Sequence, residues 1–324
     1  MGSKLFLFFL SLAFSASIIT GNVFALDYPT REIEFIAGFG PGSTIDSIAR
    51  LAAKFSEKYV GKPIIVVNRA GGGGSRGYAA LAASKPDGYT IGGFAVSGIV
   101  QPYLMKGVTF QKKSFRMISQ LGVSETGLYV KKGGPYDVTL KELIKKAKEK
   151  PDTIRAGVGA TWSPEDFARA VLEEEAGVKL IRVPFPGGGG ESVPALLGGH
   201  SDINFGAGTH WAPLYVGGKL NVLATSGEQR DPRFPNIPTF KEYGYDVNLP
   251  AKYWLAVPAG TPEAVINFLA EAFRKGCSEK GYKDGMDNLG ISAAWQNPAD
   301  SMKSVDGMEN LFLKIIKKYD LKPQ

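Results

Sequence analysis

Three glycine-rich stretches of this chain combine residue types that can hold an anion without a cationic side chain. The first runs Gly38-Phe39-Gly40-Pro41-Gly42-Ser43-Thr44-Ile45-Asp46, between a β-branched run and an amphipathic one. Glycine lets backbone approach a ligand closely, and a helix N-terminus offers free N–H groups with a partial positive charge. Ser43 and Thr44 add hydroxyl donors to that loop. Ser43 and Asp46 also have capping spacing, so both readings, cap or ligand contact, stay open for them. The second stretch is Val183-Pro184-Phe185-Pro186-Gly187-Gly188-Gly189-Gly190-Glu191-Ser192, ahead of a helical run at Val193 to Leu197. The third is Gly157-Val158-Gly159-Ala160-Thr161-Trp162-Ser163, which ends at Ser163-Pro164-Glu165-Asp166. In that last tetrapeptide serine can cap, proline suits the first helical position, and acids favour the positive helix end. Strand–glycine–helix junctions of this kind, gathered from two halves of a chain, suit a ligand cleft between facing domains.

Other chemistries find less support. Gly72-Gly73-Gly74-Ser75-Arg76-Gly77 satisfies a dinucleotide fingerprint and follows a strand, which leaves an exported nucleotide-dependent enzyme as an alternative reading. Against it, Asn68-Arg69-Ala70 intervenes, and the nearest following acid, Asp87, falls in a Pro-Asp-Gly turn rather than at a strand end. There are two histidines, His200 and His210, too few for a multi-histidine metal site. No Walker A sequence occurs. The single cysteine, Cys277, has no neighbouring histidine and cannot form an intramolecular disulfide. The expectation is a binding protein, not an enzyme, with no cofactor and no metal.

The elements that would position the loops alternate along the chain. Ile33 to Ala37, Ile64 to Val67 and Thr90 to Val96 read as strands, and Ile45, Ile48, Ala52, Phe55 and Tyr59 recur at helical spacing. Thr139 and Glu142 have capping-box spacing and open a helix that runs to Pro151. Further strands are expected at Ile154 to Val158, Leu180 to Val183, Asp202 to Phe205 and Leu220 to Thr225, and a late helix from Thr261-Pro262-Glu263 to about Lys275. This rhythm predicts an α/β fold with parallel or mixed sheets covered by helices on both faces. Neither an internal repeat nor a low-complexity linker is evident.

With 324 residues, 44% hydrophobic and 21% charged, the chain is large enough for two α/β domains and too apolar to be disordered. Residues 1–25 stand apart. Lys4 precedes an apolar stretch from Leu5 to Ile19, and Val23-Phe24-Ala25 offers small residues for cleavage after Ala25. This is the pattern of a secretory signal peptide. No cysteine near the cleavage site could carry a lipid, so the mature chain is expected to be soluble in the periplasm. The formal charge of +7 suits steering of anions, and no basic run interleaved with aromatics suggests nucleic-acid binding.

Several short pieces in order resemble the substrate-binding receptors of tripartite tricarboxylate transporters, the Bug-type periplasmic proteins. They are Tyr28-Pro29-Thr30-Arg31, Pro41-Gly42 to Asp46, Val67-Asn68-Arg69-Ala70-Gly71 to Gly74, and Lys85-Pro86-Asp87-Gly88-Tyr89-Thr90. Later come Val183-Pro184-Phe185, Leu197-Gly198-Gly199-His200-Ser201-Asp202, Ile237-Pro238-Thr239-Phe240 and Val257-Pro258-Ala259-Gly260-Thr261-Pro262. The resemblance spans essentially the whole mature chain. It implies a two-domain type II periplasmic binding protein with a ligand cleft between domains, residues 26–126 with 252–324 forming one and 127–251 the other. Chain crossovers are expected near Ser124 to Tyr129 and near Lys252 to Ala256.

The resemblance also implies a monomer that closes on a small di-, tri- or aromatic carboxylate and hands it to membrane permease subunits. A receptor signalling to a sensor kinase is the alternative within the same class. Carried onto this sequence, the ligand-binding positions are Phe39, Gly40, Gly42, Ser43, Thr44, Thr161, Trp162, Ser163, Phe185, Gly187, Gly188, Gly189, Thr209 and His210. Ser43 stands where the family often has glycine, Pro186 replaces a cation, and Trp162 occupies a normally small position. Trp162 is therefore either an aromatic pocket wall or a packing residue.

Overall fold

The structure is a computed structural model and describes residues 27–322. The expected leader, with its cleavage site at Ala25, lies outside the described residues. The first group of elements is β1 (Ile33–Ala37), α1 (Thr44–Val60), β2 (Ile64–Asn68), α2 (Ser75–Ala82), β3 (Thr90–Ala95), α3 (Val96–Leu104) and β4 (Phe115–Ser124). The second is β5 (Gly127–Lys131), α4 (Leu140–Glu149), β6 (Arg155–Val158), α5 (Pro164–Ala176), β7 (Ile181–Pro184), α6 (Gly189–Leu197), β8 (Ile203–Gly206), α7 (Gly208–Val216) and β9 (Leu220–Thr225). The chain ends with β10 (Ala251–Pro258), α8 (Glu263–Ser278), α9 (Lys280–Asn288), β11 (Ser292–Gln296) and α10 (Pro298–Lys318).

These strands build two mixed sheets, a six-stranded one of order β11-β4-β10-β3-β1-β2 and a five-stranded one of order β7-β6-β8-β5-β9. In the first, β2, β1 and β3 are parallel, while β10 and β11 join antiparallel. In the second, β7, β6 and β8 are parallel and β5 is antiparallel to both its neighbours. Each sheet thus has its own parallel β-α core, and the protein has the expected two-lobed α/β architecture. The chain leaves the six-stranded sheet after Ser124 and enters the other at Gly127. It returns across 226–250, so Lys252 to Ala256 are strand residues, paired with β4 and mostly with β3 as well.

Local sequence explains why the helices begin where they do. The Ser43 hydroxyl caps α1, whose far end stops at Gly61 with φ +77°. Thr139 and Glu142 form the reciprocal capping box of α4, and Ser163 with Pro164 opens α5. β1 is almost wholly buried, as expected of a central parallel strand covered on both faces. Around it Phe35, Phe94, Phe115, Trp254 and Phe273 are fully buried. One expectation needs adjusting: the strand read to Val96 ends at Ala95, and α3 begins there without any side-chain cap to announce it.

Candidate functional site

The parallel strands of both sheets feed helices whose first turns meet. A cavity of about 40 Å³ lies there, with room for roughly three waters. Its wall takes Ser43, Thr44 and Ile45 from the start of α1, Ala95 and Ser97 from α3, and Ser163, Pro164 and Glu165 from α5. Gly188 from α6 and His210 from α7 complete the ring of helix ends, with Phe39 and Tyr253 beside them. Five helix N-termini, two from the six-stranded lobe and three from the other, therefore face one space. α3, α6 and α7 have no side chain of their own capping them, which leaves N–H groups of their first turns for a ligand, although the Gly208 N–H that opens α7 donates to Ser124 Oγ at 2.8 Å. Among the described residues neither Lys nor Arg lines the cavity.

Two of the loops are built alike. In the first, Ser43 N–H donates to the Gly40 carbonyl (3.1 Å), Asp46 N–H donates to Ser43 Oγ (3.3 Å), and Gly42 N–H donates to Asp46 Oδ2 (3.0 Å). In the second, Ser163 N–H donates to the Ala160 carbonyl (3.0 Å), Asp166 N–H to Ser163 Oγ (3.4 Å), and Trp162 N–H to Asp166 Oδ2 (3.0 Å). The residue before each cap has positive φ, +76° at Gly42 and +59° at Trp162. The aspartate in each is then anchored. Asp46 accepts from Arg50 Nε and from Asn68 Nδ2, and Asp166 from Arg169 and Arg182. Burial alone would raise Asp46, but Arg50, the Gly42 N–H and Asn68 together hold its carboxyl below the usual range.

The lobes touch at the cavity rim. Thr44 Oγ1 lies 2.6 Å from Thr209 Oγ1 and 3.2 Å from His210 Nε2. His210 is buried and its Nδ1 has no hydrogen-bond partner among the described residues. Burial pushes it down to about 4, so the imidazole is neutral at pH 7. At the mouth, a Cβ on Gly190 would stand 2.7 Å from the Pro41 carbonyl oxygen.

Of the positions anticipated from sequence, Phe39, Ser43, Thr44, Ser163, Gly188 and His210 line the cavity. Thr209 sits at its rim through Thr44, and Gly40 faces Gly187 across the lobes, where its Cβ would lie 3.7 Å from the Gly187 carbonyl oxygen. Gly42 and Gly189 are in the same loops without lining the space, and Phe185 lies against Gly157, behind it. Thr161 accepts from Arg182 Nη2 at 2.8 Å. Trp162 does not line this cavity; it is buried, with its ring tilted at 46° to Phe167 and 5.4 Å from it, and it has φ +59° and an N–H bond to Asp166.

The positions named from sequence left out Ile45, Ala95, Ser97, Gly159, Ala160, Pro164, Glu165 and Tyr253. Glu165 carried a signal, as the acid following the proline of a helix start, but it was read only as a partner of the helix dipole. The Gly72–Gly77 loop is filled by protein. Gln101 Nε2 donates to the Gly73 carbonyl at 2.6 Å, and Cβ atoms on Gly74 and Gly77 would strike Phe39 and Gly38. Among the described residues no group of three or more His, Cys, Asp or Glu could hold a metal. Burial also pushes the Cys277 thiol up to about 12, where it is inert at neutral pH.

A family model described as "Tripartite tricarboxylate transporter family receptor" matches residues 48–321. A Cupriavidus necator protein described as "UPF0065 protein in gbd 5'region" is 30% identical over 83% of this chain and 82% of its own length. A solved structure described as that of a periplasmic transporter is 26% identical, covers 91% of this chain and 99% of its own, and superposes with a TM-score of 0.86. The protein MatC from Rhodopseudomonas palustris, solved with bound malate, has the same fold, with 23% identity, a TM-score of 0.80, and coverage of 90% and 98%. The chain belongs to the tripartite tricarboxylate transporter receptor family, whose members are solute-binding receptors rather than enzymes.

Proposed function

We propose that the protein captures a small carboxylate in the periplasm and delivers it to the membrane permease of a tripartite tricarboxylate-type transporter. The observation that carries this reading is the meeting of five helix N-termini, three of them with no side-chain cap of their own, in a cavity that no lysine or arginine among the described residues lines. Such a space favours negative charge through oriented N–H groups, and the hydroxyls of Ser43, Thr44, Ser97 and Ser163 add donors. The malate bound to MatC gives the ligand class a precedent within the fold.

The cavity lies where the two lobes, 26–126 with 252–324 and 127–251, meet, so they part for entry and close afterwards. Closure reports occupancy to the permease, and a ligand drives it only by binding the closed form better. Periplasmic residence follows from the leader pattern at residues 1–25. Among the described residues no helix is long and apolar enough to cross a membrane.

The test is a thermal-shift screen of protein stripped by unfolding and refolding, against aliphatic and aromatic carboxylates, amino acids and NAD. A shift of several degrees with a carboxylate-bearing compound, lost in Ser43→Trp and Gly188→Asp variants that still fold, is the expected result. Stabilisation by NAD alone, or full affinity in both variants, overturns it.

A further inference from the structure

Building on that carboxylate reading, we propose that Glu165 selects a cargo carrying a protonated amine beside its carboxylate, a small amino-carboxylate rather than a di- or tricarboxylate. The paired loops show why this residue stands out. Ser163 and Asp166 complete the helix start between them, as Ser43 and Asp46 do in the other lobe, so the position between the cap's proline and its aspartate is free of that task. In the first loop that position is Ile45; in the second it is Glu165, and both line the cavity.

Glu165 is only 6% exposed. Its neighbour Asp166 is answered by two guanidinium groups, Arg169 and Arg182. Glu165 has the Ser163 hydroxyl, its own N–H and the Ala207 N–H, and no cation among the described residues. The other titratable groups around it are the hydroxyls of Tyr78, Tyr129 and Tyr253, the Asp166 carboxylate and the neutral imidazole of His210. Burial accordingly pushes its carboxyl up, with Asp166 adding to the effect and the three neighbouring donors opposing it.

Buried carboxylates in proteins are usually matched by a cation, and among the described residues no cationic side chain pairs with Glu165. An ammonium group on the ligand supplies it, with the Thr44, Ser97 and Tyr253 hydroxyls as further acceptors, while the uncapped helix ends take the ligand's carboxylate. A second ligand carboxylate would instead face Glu165 across the same cavity, where like charges repel.

The experiment is calorimetric titration of the stripped receptor at neutral pH. Its probes are the standard α-amino acids with β-alanine and γ-aminobutyrate, set against propionate, butyrate, benzoate, malonate, succinate, malate and adipate. The expected result is that the tightest ligand bears an amine and that its deaminated analogue binds about tenfold weaker or worse. Glu165→Gln, with its melting temperature checked, should erase that difference while leaving the deaminated compound's affinity within about threefold. If Glu165→Gln fails to fold, the wild-type discrimination between amine and deaminated partner decides alone. A dicarboxylate binding more tightly than every amine overturns the assignment of cargo but leaves the carboxylate cleft standing. Silence from every compound removes the cleft reading, and this inference with it.

Discussion

Replacing Gly190 by alanine should weaken ligand binding without weakening the fold. Gly190 is exposed at the start of α6, and its added Cβ would lie 2.7 Å from the Pro41 carbonyl oxygen on the opposite lobe. A relaxed carbon–oxygen contact needs about 3.3 Å, so the closed lobes must separate locally by roughly 0.6 Å. Overpacking of this size costs about 1–2 kcal/mol, and only in the closed form. Since about 1.4 kcal/mol is tenfold in affinity, Gly190→Ala should raise Kd by about five- to thirtyfold. The ligand-free protein should lose no stability, because alanine is the better helix former by up to ~1 kcal/mol. Calorimetry with the ligand found by the screen gives Kd, and thermal unfolding without ligand gives the control. Unchanged affinity would mean that Pro41 and Gly190 do not meet in the bound state. A drop in melting temperature matching the loss of affinity would mean that the contact belongs to the resting fold and not to closure.

Other perturbations probe the supports of the site. Asp46→Asn should cost about 2 kcal/mol by weakening charge-assisted bonds to Arg50, Asn68 and the Gly42 N–H, as read by urea unfolding. The folded carboxyl is held low, so its contribution is full above the unfolded value near 4 and fades as pH falls through the folded one; the variant should lack that acid-side slope. His210 runs from 6.5 unfolded to about 4 folded, so the unfolded chain binds the extra proton and about 3 kcal/mol of stability drains away between those two pH values. In ligand-free protein, the melting temperature of His210→Gln should fall less steeply than that of the wild type over this range; parallel curves would refute the assignment. Gly77→Ala should destabilise by about 2–3 kcal/mol, because its Cβ would lie 2.4 Å from Gly38 Cα, and addition of NAD should rescue none of that loss.

Much of the fold could be read from the sequence because its punctuation is local. The caps at Ser43, Thr139 and Ser163 are set by residues three positions apart, and each is where the spacing placed it. The starts of α3 and α7 were not legible, since Ala95 and Ala207 make no side-chain cap and the helices follow from tertiary packing. The candidate site divides along the same line. Ser43 and Ser163 announce themselves by type and setting. Tyr253 and Ser97 reach the cavity only because β10 and β3 are neighbours in one sheet, a pairing across more than a hundred residues. The choice at Trp162 between pocket wall and packing residue was not legible for a related reason: no spacing rule anticipates φ of +59° at a tryptophan. The likeness between the two loops was hidden as well, because residues 40–46 and 160–166 share only their serine and aspartate.

That shared skeleton has an evolutionary corollary. Serine, aspartate and the positive-φ residue ahead of them tie the backbone to itself, and any change there disturbs the architecture of a lobe. The residue just before the aspartate takes no part in those bonds, yet its side chain lines the cavity. Cavity wall and frame are thereby written at separate codons: the group at position 45 or 165 can be exchanged while the same frame is inherited.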